Sequence, residues 1–422
     1  MTPTAQPRSP WLWVPTLYFS QGIPYVIVMT MSVIMYKRLG VSNTDIAFYT
    51  SWLGFPWVIK PLWSPLVDIT RTKRAWVVSL QFAVAAALAL VAFTIPGSAF
   101  FRASLALFWL MAFASATHDI AADGFYMLGL TQHDQALYVG IRSTFYRAAM
   151  IVGSGLLVVL AGVLEQRTGN IPFAWSITLF TVAIIFLAFS CWHAFILPRP
   201  PNDGPVITGR SLAGDFFITF GSFFQKPGIG RALAFILLYR FDEAQLSKVI
   251  SPFLLDARSA GGLGLSTSQV GLAYGTFGIL ALTCGGLLGG FLAAKFGLKK
   301  MLPYLVAAMY LPKLAFVFLS FTQPENFLVI CCTIAVEQFG YGLGFTAFML
   351  YLLYFADGPH RTAHYAICTG LMALGMLIPG LWSGWLVDHI GYQHFFLWVI
   401  CSALPGLILA LLLKIDPHFG RR

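Results

Sequence analysis

Apolar runs of about twenty residues, separated by short polar breaks, repeat along the whole chain. A run of that length crosses a hydrocarbon core about 30 Å thick as an α-helix, which satisfies its own backbone groups where no water can. Twelve such helices are predicted, at about 12–36, 45–66, 75–95, 104–129, 137–163, 172–195, 230–254, 268–294, 301–321, 327–355, 365–387 and 393–414. The longest hydrophilic interval between them, 196–229, opens Leu197-Pro198-Arg199-Pro200-Pro201-Asn202-Asp203-Gly204 and separates six spans from six. The pattern therefore predicts an all-α polytopic membrane protein: a six-helix bundle over 1–195, a central cytoplasmic loop over 196–229, and a second six-helix bundle over 230–422.

Composition agrees, with 58% hydrophobic and 10% charged residues and a mean hydropathy of +0.77. A soluble domain carries about 25% charged residues. The net charge of +10 does not point to nucleic acid, because the basic residues sit in short loops without a long basic run. They report orientation instead. With the N-terminus in the cytoplasm, fifteen basic residues fall on the inner side, against Lys37, Arg38, Arg102, Arg167 and Arg258 on the outer side. By the positive-inside rule both termini are then cytoplasmic. The opening Pro7-Arg8-Ser9-Pro10-Trp11 offers no small-residue cleavage site, so the first helix is expected to stay in the mature chain. All six cysteines lie within apolar spans without metal-ligand spacing and are expected to be small core residues.

The two halves echo one another. Leu17-Tyr18-Phe19-Ser20-Gln21 opens the first as Leu238-Tyr239-Arg240-Phe241-Asp242 opens the second. Four spans also end alike: Leu66-Val67-Asp68 followed by Arg71, Lys73 and Arg74; Gly162-Val163-Leu164-Glu165; Gly290 to Lys300; and Gly384-Trp385-Leu386-Val387-Asp388-His389-Ile390-Gly391. These close spans 2, 5, 8 and 11, the pattern of two inverted three-helix units in each half. The run from Gly290 resembles the G-x-L-a-D-x-x-G-x-[RK]-[RK] loop of the major facilitator superfamily, with Ala294 in the acidic place. That resemblance implies twelve helices in two pseudo-symmetric bundles, and a gating role for Asp68, Arg71, Arg74, Lys295 and Lys299 as a latch on the cytoplasmic side.

A narrower likeness follows from Gln21-Gly22-Ile23-Pro24-Tyr25, from Lys60-Pro61-Leu62-Trp63-Ser64-Pro65-Leu66-Val67-Asp68, and from Ala116-Thr117-His118-Asp119-Ile120-Ala121-Ala122-Asp123. These resemble the AmpG-type muropeptide permeases, whose relatives include siderophore importers and acetyl-coenzyme A transporters. The likeness is sharpest over 11–150. The chain departs from the family in length, having no room for the extra membrane helices of the best-known permeases, and in His118, where such proteins often carry glutamine. The resemblance implies import of an anionic cell-wall fragment, an anhydro-muropeptide, by proton symport through a bacterial cytoplasmic membrane.

Candidate chemistry lies in charges placed inside apolar spans. Asp119 and Asp123, four residues apart on one helical face, sit where an acid costs roughly 2.5 to 3.5 kcal/mol, and they are the candidates for proton coupling. Five buried acids (Asp119, Asp123, Asp242, Glu243, Glu337) face six bases (Lys60, Arg142, Arg147, Arg240, Lys248, Lys313), leaving a spare positive charge that suits an anionic substrate. The candidate substrate-binding set is Gln21, Tyr25, Lys60, Arg142, Arg147, Tyr239, Arg240 and Glu337. Gln21 is expected on a helix discontinuity made by Gly22 and Pro24, Arg142 anchored to Asp123 or the inner headgroups, Arg147 in contact with substrate or paired with Asp123, which lies at a similar depth, and Lys248 snorkelling outward. Trp11 and Trp13 read as interface anchors.

No nucleotide-binding loop or zinc-protease motif is present, and His118 beside Asp119 is not a dyad, since adjacent helical residues point about 100° apart. The expected protein is a transporter rather than an enzyme, monomeric, and without cofactor or metal. A nontransporting membrane receptor or scaffold is the alternative of a different class.

Overall fold

The computed structural model describes residues 9–204, 220–358, 361–416 and 419; within its helices the side chains at 65, 68, 69, 132, 133, 135–137, 139 and 361–363 lie outside the described set. Among the described residues every regular element is helical. In chain order these are α1 (Pro10–Arg38), α2 (Asn43–Trp52), α3 (Phe55–Thr70), α4 (Lys73–Thr94), α5 (Phe100–Gly129), α6 (132–168), α7 (Ile171–Ile196), α8 (Ile229–Leu238), α9 (Phe241–Leu255), α10 (Thr267–Phe296), α11 (Leu298–Thr322), α12 (Phe327–Ala356), α13 (361–390) and α14 (392–411). Nine stretches of the described residues are long and apolar enough to cross a membrane, so this is a multi-pass membrane protein. The last of the nine, His364–Leu411, turns at Gly391, whose φ of +73° marks the boundary between α13 and α14.

Two predicted spans are not single helices. The segment expected at 45–66 is divided between α2 and α3 at Leu53-Gly54, and that expected at 230–254 between α8 and α9 at Tyr239-Arg240. Conversely, α1 does not break at Gly22 and Pro24; Val14–Val26 runs helically through both, and a π-turn over Ile27–Met31 follows. Gly22 serves packing instead. A Cβ there would lie 2.7 Å from the Ala149 Cβ of α6, so only glycine lets these two helices approach this closely.

Large apolar side chains such as Phe93, Phe195, Leu287 and Leu328 are exposed on the helix exteriors, as a lipid-facing surface requires. Four of the cysteines, Cys191, Cys284, Cys332 and Cys401, share that exposure; the expectation of core cysteines holds only for Cys331 and Cys368. Trp11 is exposed, whereas Trp13 is fully buried and packs edge-on to Phe125 at 5.2 Å, an internal rather than an interfacial position.

Candidate functional site

The helices before Ile196 and those after Ile229 meet around a cavity of about 270 Å³. Its wall carries Tyr25, Trp57, Arg240, Glu243, Lys248 and Tyr341, so both sets of helices contribute polar groups and aromatic faces. The breaks in the paired helices help to build it. Gly54 between α2 and α3 and Arg240 between α8 and α9 both line the space, where irregular backbone is tolerated because it borders a cavity.

Beside this cavity lie the two aspartates of α5. Asp119 accepts from Trp57 Nε1 at 3.0 Å, hydrogen-bonds Gln21 and stands 3.9 Å from Lys60. Asp123 accepts from the Tyr18 hydroxyl at 3.1 Å and pairs with Arg142 at 3.1 Å, whose guanidinium lies over the Tyr18 ring at 4.4 Å. Arg142 rather than Arg147 is therefore the neighbour of Asp123. Arg147 has no carboxylate among the described ion pairs and reaches the other set of helices: a Cβ on Gly286 of α10 would sit 3.7 Å from its Nη2. The Asp123 side chain is 42% exposed, so water reaches this pair.

The remaining candidates divide. Tyr25 lines the cavity, edge-on to Trp57 at 5.1 Å, and Arg240 lines it while bonded to the Tyr341 hydroxyl and lying over Phe345 at 4.9 Å. Lys248 does not snorkel outward; it is nearly fully buried and donates to Thr50 of α2 at 3.1 Å. Tyr239 is packed away from the cavity, donating to the Gly344 carbonyl at 3.0 Å and stacking on Phe348. Glu337 is fully buried behind the wall, its neighbour Gln338 forming the lining.

His118 belongs to a buried polar chain that the sequence reading missed. Gln81 of α4 donates to His118 Nε2 at 3.0 Å and accepts from His193 Nδ1 of α7 at 2.8 Å, and His193 Nε2 lies 2.9 Å from the Thr16 hydroxyl of α1. Four helices are tied together by groups that each find a partner in low dielectric. Gln81 and His193 gave no sequence signal beyond being polar inside apolar runs.

At one end of the molecule the two sets of helices are stitched by charge. Asp388 of α13 accepts from the Thr44 backbone N–H at 3.1 Å, the Thr44 hydroxyl at 2.7 Å and Asn43 Nδ2 at 3.0 Å, capping the start of α2. Glu165 of α6 accepts from the Thr267 hydroxyl at 2.7 Å at the start of α10 and pairs with Arg38 at 3.0 Å. Lys37 pairs with Asp256 at 2.7 Å, to which Tyr392 also donates at 2.6 Å. Thus two of the three span-ending acids, Glu165 and Asp388, each hold the N-terminus of a helix from the other set, where the partial positive charge of the helix favours a carboxylate. A sequence signal was available: Gly40-Val41-Ser42 and Gly264-Leu265-Ser266 precede α2 and α10, each with a left-handed glycine and a serine N-cap.

Asp388→Asn should weaken this end by about 1 kcal/mol, shifting the sealed population about fivefold. Distance spectroscopy between labels on the loops after α6 and before α10 checks this, and an unchanged distribution would show that the carboxylate holds nothing.

The expected latch at the opposite end looks different. The Asp68 side chain lies outside the described residues. Arg74 bonds the Ala194 and Leu197 carbonyls at the end of α7, tying helices of its own set. Arg71 and Lys299 are exposed, and Lys295 lies over the rings of Phe291 and Phe296. Asp203 accepts from the backbone N–H of Lys73 and Arg74 at 2.6 and 3.0 Å, fastening the start of the central interval to the start of α4.

A cavity between two sets of helices, sealed at one end by interlocking helix termini, is the architecture of a secondary transporter of the major facilitator fold. Solved structures agree: a D-xylose-proton symporter matches with a TM-score of 0.72 at 13% identity over 94% of this chain and 95% of its own. A bacterial homologue of the human lysosomal transporter Spinster, inward-facing and unoccupied, matches at 0.71 and 14% identity over 96% of each chain. The Major Facilitator Superfamily model matches residues 244–422. The chain belongs to the BT1 family, whose model matches residues 21–309, more than half of its length. The anhydromuropeptide permease of Escherichia coli K12 is 27% identical over 99% of this chain and 82% of its own, and a Rickettsia conorii protein named as an AmpG transporter is 26% identical over 93% and 94%. These relatives are permeases and transporters, not enzymes.

Proposed function

We propose that this protein imports an anionic cell-wall fragment, an anhydro-muropeptide, by proton symport through a bacterial inner membrane. It does so as a monomer crossing twelve times with both termini in the cytoplasm. The bundles 1–195 and 230–422, joined by 196–229, rock about the cavity, and the stitched end is the outer one, so the structure corresponds to a state closed to the outside. The observation that carries this reading is the cavity wall, where Arg240 and Lys248 stand among Tyr25, Trp57 and Tyr341, adjoining the ion pairs Lys60–Asp119 and Arg142–Asp123. Bases suit the carboxylates of a muropeptide, and aromatic faces suit its sugars. At about 270 Å³ the cavity is below the roughly 300 to 1,000 Å³ typical of ligand pockets, so loading requires the bundles to part.

Coupling follows from competition. A substrate carboxylate that takes Arg142 or Lys60 removes the counter-charge of Asp123 or Asp119, and a carboxylate left without its base in low dielectric takes up a proton. Charge enters neutralised, against an inside-negative potential that would otherwise oppose an anion.

Arg147, which like Arg240 and Lys248 pairs with no carboxylate among the described residues, is assigned to substrate. Arg147→Gln should weaken anhydro-muropeptide binding about 10- to 100-fold, the range for losing one charge-assisted hydrogen bond, with folding intact. Calorimetry on the purified protein with anhydro-muropeptides, ferric siderophores and acetyl-coenzyme A tests both claims. Binding of either of the other two in place of the muropeptide would overturn the substrate, and unchanged affinity in Arg147→Gln would overturn the residue.

A further inference from the structure

Next to the cavity, in the helices after Ile229, three carboxylates and one lysine are buried together. Asp242 and Glu243 open α9, Glu337 lies on α12, and Lys313 is presented by a 3₁₀ turn over Leu311–Lys313 within α11. None of the four is more than 3% exposed. Lys313 Nζ pairs with Asp242 and, at 3.1 Å, with Glu243. Glu337 has no base within ion-pair distance among the described residues. Its Oε2 accepts from Gln338 at 2.8 Å, while its Oε1 is buried with no hydrogen-bond partner. Asp242 Oδ1 is likewise buried and unpartnered.

The surrounding groups leave the same surplus. Arg240, which precedes α9, lies over Tyr341 and Phe345 and supplies the second positive charge on this side of the cavity. Lys248, also on α9, points to Thr50 in the other set of helices. From α10, Tyr274 lines the cavity beside Glu243; from α11, Tyr310 lies under Lys313; from α12 come Tyr341 and Gln338. Tyrosines and an amide bring no formal charge. With Asp242 and Glu243 ionised against Lys313 and Arg240, the charge balances, and Glu337 is the acid left over. A buried carboxylate without a base is held neutral by a proton, because an isolated charge in low dielectric is too costly to keep.

We propose that Glu337, with Asp242, Glu243 and Lys313, forms a second proton-binding site, separate from Asp119 and Asp123, that holds a proton in this conformation and exchanges it with the cavity through Glu243. Glu243 is the member that lines the cavity, so it is the point at which water meets the cluster. Bundle movement that draws Lys313 toward Glu337, or Arg240 away from Glu243, changes which carboxylate is neutral and lets the proton leave. Two sites on opposite bundles provide the two protons that a doubly anionic substrate needs merely to cancel its charge. The role in transport rests on the proton-symport reading; occupancy of the site does not.

Infrared difference spectroscopy on the purified protein at neutral pH, in H₂O and D₂O, tests occupancy without any ligand. A carbonyl band of a protonated carboxyl, sensitive to deuterium, should be present in the wild type and missing from Glu337→Gln, which keeps the side-chain shape and its neutral state and should fold normally. Glu337→Leu should lose the same band, guarding against a failure peculiar to the amide. A band retained in both variants, or absent from the wild type, overturns the site. In proteoliposomes supplied with anhydro-muropeptide, the proton-to-substrate ratio of Glu337→Gln should fall by one. An unchanged ratio with the band lost would overturn the exchange. Absence of wild-type transport would refute the substrate assignment while leaving the band to be judged separately.

Discussion

Gly275→Val should drive the sealed end of the transporter open and stop turnover. Gly275 of α10 lies against α6 so closely that a Cβ would fall 1.9 Å from the Ser154 carbonyl oxygen, and on the facing helix a Cβ on Gly155 would fall 2.5 Å from the Thr276 hydroxyl. At Gly275 backbone meets backbone, so no flexible side chain can move aside. Overpacking a close contact costs about 1 to 3 kcal/mol, and because packed interfaces switch rather than stretch, the cost falls on the sealed state as a whole. A shift of that size moves the open-to-sealed ratio about 5- to 150-fold. Distances between labels at Arg167 and Ser259 should lengthen, and flux should fall in proportion, while helical content stays that of the wild type. Gly384→Ala, whose Cβ would meet the Asn43 carbonyl at 1.9 Å on the other seam, should act in the same direction. Sealed-state distances retained in both variants would show that these seams do not set the closed conformation.

Asp123→Asn should separate exchange from accumulation. The asparagine keeps the size of the side chain and still accepts from Tyr18, but it cannot titrate and no longer competes with substrate for Arg142. One proton moving through about 150 mV supplies roughly 3.5 kcal/mol, enough for about 300-fold accumulation of a neutral solute. Removing a coupling carboxylate should therefore cost accumulation of that order while anhydro-muropeptide exchange at equal concentrations continues. Full pH-driven accumulation by the variant would remove Asp123 from the coupling path; the same test on Asp119→Asn, whose Lys60 is more distant at 3.9 Å, would then decide between Asp119 and the cluster around Glu337.

Much of the fold was legible in the chain, because a bilayer imposes one rule on every span: apolar length without water means helix. Hydropathy could not show where helices break inside the membrane. The interruptions at Gly54 and Arg240 answer to the cavity they border, whereas the run Gly22-Ile23-Pro24 stays helical and its glycine serves the close approach of Ala149. The candidate site was legible as a set of charges, and only partly as pairs. Asp119 and Asp123 stand out in any reading of 105–130, yet the choice of Arg142 over Arg147 as partner depends on which face α6 turns toward α5.

The span-ending acids divide along the same line. Their spacing marked Asp68, Glu165 and Asp388 as equivalent positions of a repeat, a property of covalent order alone. That Asp388 and Glu165 bond to the first residues of helices of the opposite set, and that Glu337 stands near a lysine already shared by two other acids, are relations between residues up to 345 positions apart in sequence. The pattern of apolar and polar residues told which segments enter the membrane, since transfer from water depends on each segment's own composition. Partnership among the charges inside it was set by the packing of helices, because a Coulomb energy depends on distance and burial, and neither is written in the order of the chain.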